Sequence, residues 1–262
     1  MRSDVEWVGN GGEPGPRRWS RSVRHRGVVS LEVADGLLDE SAEGAAREPR
    51  AAGELAELAL EIAALPHPEE AGRVEAVKAR GYCLLANARR LRGDLRGAEE
   101  ALHRAGLHLM QPPDSPERAF YGWQLALLRH EQGRVEEAVA GLWRAAGIYG
   151  EAGERDGEGS CLASLGALLL EEGEHERAVR PLIRAGEVLD PERRLWLVAQ
   201  VRLGLALCHA VLGYPVRALR EAESAWTVCR RITDPSQRAE LCSLRARITE
   251  LVEAMPGAPS PR

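Results

Sequence analysis

The sequence predicts an all-α solenoid of antiparallel helix hairpins, and three observations carry that reading. First, a glycine recurs without drift every 40 residues, at Gly93, Gly133, Gly173 and Gly213. Second, alanines keep the same step, as Ala98, Ala138, Ala178 and Ala218 and again as Ala105, Ala145, Ala185 and Ala225. Third, only 4% of the residues are aromatic while 44% are apolar, so alanine and leucine carry the core, as suits closely approaching helices. Repetition at this period marks units that bury their apolar faces against their neighbours.

Taken in order, residues 1–27 are rich in Gly, Pro and Arg and predict a disordered basic arm. Two readings stay open for Arg17, Arg18, Arg21, Arg24 and Arg26 around Trp19. They form a motif that grips an acidic partner or a nucleic-acid backbone, or they belong to an unstructured leader that starts upstream of the true product. The solenoid is expected over 28–255. A degenerate first hairpin spans 28–68, with Val33, Leu37 and Leu38 on one face and a break at Glu48-Pro49. Four clear repeats follow, at about 70–110, 115–150, 156–189 and 191–231.

Within each repeat the glycine fits the position just after the first helix, where a left-handed residue closes the turn. Ser115-Pro116, Asp190-Pro191 and Asp234-Pro235 read as N-caps followed by Pro at the first helical position, and Asp156 is the expected cap in the third repeat. Leu-Ala or Leu-Gly pairs at 85–86, 125–126, 165–166 and 205–206 are expected to meet the alanines of the second helix. A capping helix is predicted over 236–255, with Leu241, Leu244, Ile248, Leu251 and Met255 on its apolar face, and 256–262 is a frayed tail.

Several function classes are disfavoured. A formal net charge of −5 gives no general attraction to nucleic acid. No apolar run approaches the roughly 18 residues of a membrane span, and the N-terminus lacks a secretory apolar region, so the expectation is a cytoplasmic protein. Five scattered cysteines form neither a CxxC pair nor an even disulfide framework. His103 and His108 miss the spacing that would let them share a metal. GEGSC at 157–161 superficially matches a nucleophile elbow, but Ser160 falls inside a repeat and not at a strand-to-helix turn. Glu136-Glu137 and Glu171-Glu172 read as solvating helix-end charge. No catalytic residue, metal site or cofactor is expected.

The step from Leu-Ala or Leu-Gly to Gly, to Ala, to Ala resembles the tetratricopeptide repeat, most clearly in IYGEAGERDGEGSCLASLGALLLEEGEHERAV at 148–179. The likeness covers about 70–230, and the extra length per unit matches a long-helix bacterial variant of about 40 residues. It implies a right-handed superhelix whose concave face, lined by the first helix of each hairpin, takes a peptide or protein segment. The groove positions it implies are Arg80, Cys83, Asn87 and Arg90, then Phe120, Trp123, Leu127 and His130. The third unit offers Ser160, Ala163, Ala167 and Leu170, and the fourth Gln200, Leu203, Leu207 and Ala210. Asn87 matches the asparagine with which chaperone-binding members hold a ligand carboxylate, but Cys83 stands where they carry lysine, so that clamp is broken. Arg80 and Arg90 either grip an acidic end of the ligand or form a solvated face. Phe120 and Trp123 serve either packing or ligand contact, and His130 and His209 offer pH sensitivity.

The function expected is therefore a non-enzymatic adaptor that binds a peptide or protein segment in the groove. The alternative is a regulatory sensor, in which the groove takes a small peptide or signal and controls a partner. Oligomeric state is left open.

Overall fold

A computed structural model of the chain describes residues 30–67, 70–110 and 112–254. The basic arm, the tail and Met255 lie outside the described residues. All regular structure among the described residues is helical. The chain divides into two compact units, Met1–Met110 and Gln111–Arg262.

The first unit holds α1 (Leu31–Gly44), α2 (Pro49–Ala63), α3 (Ala71–Leu91) and α4 (Leu95–His108). Leu31, Ala34, Leu37 and Leu38 bury one face of α1, and the Ser41 hydroxyl donates to the Ala52 carbonyl of α2 at 2.9 Å. Pro49 opens α2, where its missing N–H costs nothing. Asp94 caps α4 by accepting from the Gly97 amide at 2.9 Å.

The second unit holds α5 (Pro116–Glu131), α6 (Val135–Glu151), α7 (Arg155–Glu171) and α8 (His175–Val188). It continues with α9 (Leu195–Val211), α10 (Pro215–Cys229) and α11 (Pro235–Glu253). Short turns make each odd helix and its successor an antiparallel hairpin. Gly93, Gly133, Gly173 and Gly213 have φ of 78°, 74°, 74° and 82°. At each, the next residue's amide reaches back five residues, as Asp94 does to Arg89 and Glu174 to Leu169. This is the Schellman closure, which satisfies carbonyls the helix leaves open. Gly153 closes α6 the same way with φ 75°, a fifth copy off the 40-residue step.

The alanines at 98, 138, 178 and 218 are wholly buried. Gly166 shows why small residues face the second helix: a Cβ there would stand 2.2 Å from Leu182. Likewise a Cβ on Gly141 would meet the Ala126 Cβ at 2.9 Å, so α5 and α6 touch through small residues on both sides.

Three local expectations are corrected. Helix α9 begins at Leu195, not at Pro191; Asp190 instead holds a turn, its carboxylate accepting from the Glu192 amide at 2.8 Å. Asp156 lies inside the first turn of α7, which starts at Arg155, and pairs with Arg194 at 3.4 Å instead of capping. On α11 the buried face is Leu241, Ile248 and Val252, while Leu251 is 40% exposed. At about 100° per residue, Val252 returns to within about 20° of Leu241 and Leu251 does not. Ser115 and Asp234 cap α5 and α11 as expected, accepting from the Arg118 amide and from the Ser236 and Gln237 amides.

One asymmetry distinguishes the two sides of each unit. In the second unit the first helices stack directly, α5 on α7 and α7 on α9, and α11 closes the stack against α9 and α10. Among the described residues, no Cα of α6 lies within 8 Å of α8, nor any of α8 within 8 Å of α10. The same holds in the first unit, where α1 touches α3 but α2 and α4 stay apart. First helices are therefore on the inner side of each unit's curve, and second helices splay on the outer side.

Candidate functional site

Within the second unit, the inner helices α5, α7 and α9 are joined by side chains that cross from one repeat to the next. The Trp123 indole N–H donates to the Ser164 hydroxyl at 3.1 Å. Phe120 meets the Trp123 ring edge-on, with centroids 6.1 Å apart and planes at 82°. That arrangement suits two aromatic quadrupoles. At the other end of α5, His130 Nε2 lies 3.1 Å from Glu172 and Nδ1 lies 3.9 Å from Glu171. The two glutamates thus face a histidine of the neighbouring repeat, beyond the solvating role expected of them. Leu170 packs on α9 where Gly204 leaves room; a Cβ there would stand 3.1 Å from the Leu170 Cδ1.

Of the second-unit positions implied by the family likeness, Phe120, Trp123, Leu170 and Leu207 are half-buried and packed against the core. Leu127, His130, Ser160 and Gln200 are half-buried too. These side chains are both anchored and reachable. Leu203 is not among them: it is wholly buried, and Ala163 and Ala210 are buried too. Leu203 is a core residue of α9 and cannot touch a ligand.

In the first unit, Cys83 is 1% exposed and burial pushes its thiol well above the ordinary range. It too is core and not groove. Arg80 donates to Asp39 of α1 at 2.6 Å, and Arg90 donates to the Asn87 amide oxygen at 2.9 Å. Arg80, Arg90 and Asn87 therefore have partners within the fold. Arg73 extends the pattern, bonding Glu32, Asp35 and Glu70, which hold its guanidinium above its usual range.

Several of these bonds keep one register. Glu32–Arg73, Asp39–Arg80, Trp123–Ser164 and Glu136–Arg177 each join residues 41 apart, one more than the repeat. Stacked repeats bring position i beside i + 41, so complementary residues at that interval were the sequence signal for partners not foreseen. Ser164, Glu172 and Asp39 all carry it to within one residue.

The arrangement offers binding surface more than reaction chemistry. Ser160 sits mid-helix in α7. Burial raises the thiols of Cys161, Cys208 and Cys229, that of Cys208 to about 11, leaving them poor nucleophiles near neutral pH. Among the described residues no group of three His, Cys, Asp or Glu side chains is placed to hold a metal ion, and no helix is long and apolar enough to cross a membrane.

No protein-family model matches the sequence, and no curated protein matches it. Solved structures do. A putative kinesin light chain with nearly identical TPR-like repeats from Podosopora anserina is 19% identical, over 85% of this chain and 100% of that one, with a TM-score of 0.51. RapI in its apo form is 14% identical over 83% of this chain and 71% of that one, at a TM-score of 0.57. BtubC from P. vanneervenii is 18% identical over 88% and 93%, at 0.51. Glycine-closed helix hairpins, inner-helix stacking and these likenesses agree: the chain has the fold of the tetratricopeptide-like helical repeat.

Proposed function

We propose that the chain is a non-enzymatic scaffold that holds a segment of another protein, or a peptide, on the inner face of α5, α7 and α9. The observation that carries this reading is the asymmetric stacking: first helices touch and second helices do not, so the inner side chains form one continuous preformed surface. Phe120, Leu127, Leu170 and Leu207 supply its apolar contacts, and Trp123, His130 and Gln200 supply polar edges. Trp123 and His130 are already fixed by Ser164 and Glu172, which lowers the entropy lost on binding. Taken by itself, the first unit would engage an acidic segment through Arg80 only by exchange with Asp39, and through Arg90 only alongside Asn87.

Affinity purification of the tagged full chain from its native host, beside a Leu127→Glu, Leu207→Glu variant, tests the reading. A stable protein complex lost in the variant supports the scaffold. A small peptide recovered instead, able to release a bound protein, supports the regulatory alternative. A protein complex that survives both substitutions contradicts the inner-face site.

A further inference from the structure

On the outer side of the second unit, the splay of α6 from α8 opens a cleft of about 460 Å³, and α7 lines it between them. Its lining carries charge at both ends and small residues between. At one end Trp143, 38% exposed, carries the Arg180 guanidinium 5.7 Å above its ring. At the other end the nearly buried Glu158 carboxylate receives a bond from Arg184 Nε at 2.9 Å, and Glu151 stands at the margin. Gly147 and Leu162 lie between.

Three features distinguish this cleft from a packing gap. Arg184 is compensated by Glu158 and Glu187, yet among the described residues no carboxylate pairs with Arg180. Its guanidinium lies over the Trp143 ring instead. Gly147 lies in the interior of α6, where glycine is the least favoured residue after proline. Nothing in the fold asks for it, since a Cβ built there meets no atom within 4 Å. Finally, the repeat does not dictate these residues: the positions 40 apart read Leu107, Gly147, Glu187, Thr227 and His103, Trp143, Ile183, Glu223.

We infer that this outer cleft is a second binding site, separate from the inner face, for an extended peptide segment of a partner protein with an acidic residue at one end and a basic residue at the other. The acidic side chain bonds Arg180 beside the Trp143 ring through charge-assisted hydrogen bonds. A flat apolar side chain lies over Gly147, where the missing Cβ leaves room. The basic side chain meets Glu151, the cleft carboxylate that Arg184 does not neutralise. Trp143 and Glu151 are eight residues apart on α6, or about 12 Å. An extended chain covers that distance in about three to four residues, which sets the motif as acid, apolar, any, base.

The test is a titration of the ¹⁵N-labelled full chain with acetyl-Glu-Phe-Ala-Lys-amide, following tryptophan indole resonances up to about 5 mM peptide. The Trp143 resonance, assigned with Trp143→Phe, is expected to shift. Acetyl-Gln-Phe-Ala-Lys-amide should bind at least about tenfold more weakly, by loss of the charged pair. Arg180→Gln should remove that difference between peptides, and Gly147→Leu should abolish the shift while the other indole signals report an intact fold. No Trp143 shift, equal binding of the two peptides, or a shift at Trp123 in place of Trp143 would each overturn the inference.

Discussion

Trp123 on α5 and Ser164 on α7 are joined by an indole-to-hydroxyl hydrogen bond of 3.1 Å that crosses from one repeat to the next. Removing the acceptor leaves a half-buried indole N–H without its partner. Ser164→Ala is expected to lower unfolding stability by about 1 kcal/mol. Urea denaturation followed by tryptophan fluorescence measures it; an unchanged midpoint would mean that water replaces the bond at no cost.

Ala138 is wholly buried where α6 meets its neighbours. Ala138→Leu adds three carbons to a site with no spare volume and should destabilise by about 1–3 kcal/mol. Thermal unfolding by circular dichroism is the readout, and a silent substitution would misplace the hairpin contact.

Two glycines make an opposed pair. Gly173 has φ 74° with open space around its Cβ position, so Gly173→Ala pays for backbone strain alone, about 1–2 kcal/mol. Gly147 lies in a helix with equally open space, so Gly147→Ala should stabilise by roughly 0.5–1 kcal/mol. Paired urea midpoints moving in opposite directions would confirm both backbone assignments.

These pairs also show how much was legible. The hairpins could be read because two requirements recur in every repeat, a left-handed closing residue and a contact with no room for a side chain. Glycine and alanine meet those requirements almost uniquely. The rotation of each helix about its axis was harder to read. Cys83 and Leu203 share the apolar character of true surface positions, yet both face the core, and only tertiary packing settles which side they take. The partners of Arg80 and His130 depend on how repeats stack, a relation local pattern does not contain. The outer cleft was missed because Trp143 and Arg180 lie on second helices, where the family likeness gave no reason to look for a ligand.

His209 is 8% exposed and edge-on to Tyr214 at 6.4 Å. Burial lowers its pKa below 6.5, with Glu221 opposing and Arg217 reinforcing the shift. The unfolded chain therefore takes up this proton at higher pH than the folded one. The stability difference is absent above about pH 6.5 and grows unfavourable as pH falls from there towards the folded value. Its slope cannot exceed one proton, about 1.4 kcal/mol per pH unit. His209→Leu installs the residue found 40 positions earlier, Leu169, and should flatten urea midpoints between pH 7.5 and 5.5 relative to the parent.

The central claim is that the inner face of α5, α7 and α9 holds another protein or peptide. A photo-crosslinking amino acid placed at Leu127, and separately at the exposed outer-helix residue Glu223 of α10, remote from the Trp143 cleft, tests it in the native host. One recurrent protein or peptide adduct is expected from Leu127, identified by mass spectrometry and absent from Glu223. Adducts from Glu223 alone, or none from Leu127 at full expression of a folded chain, would contradict it.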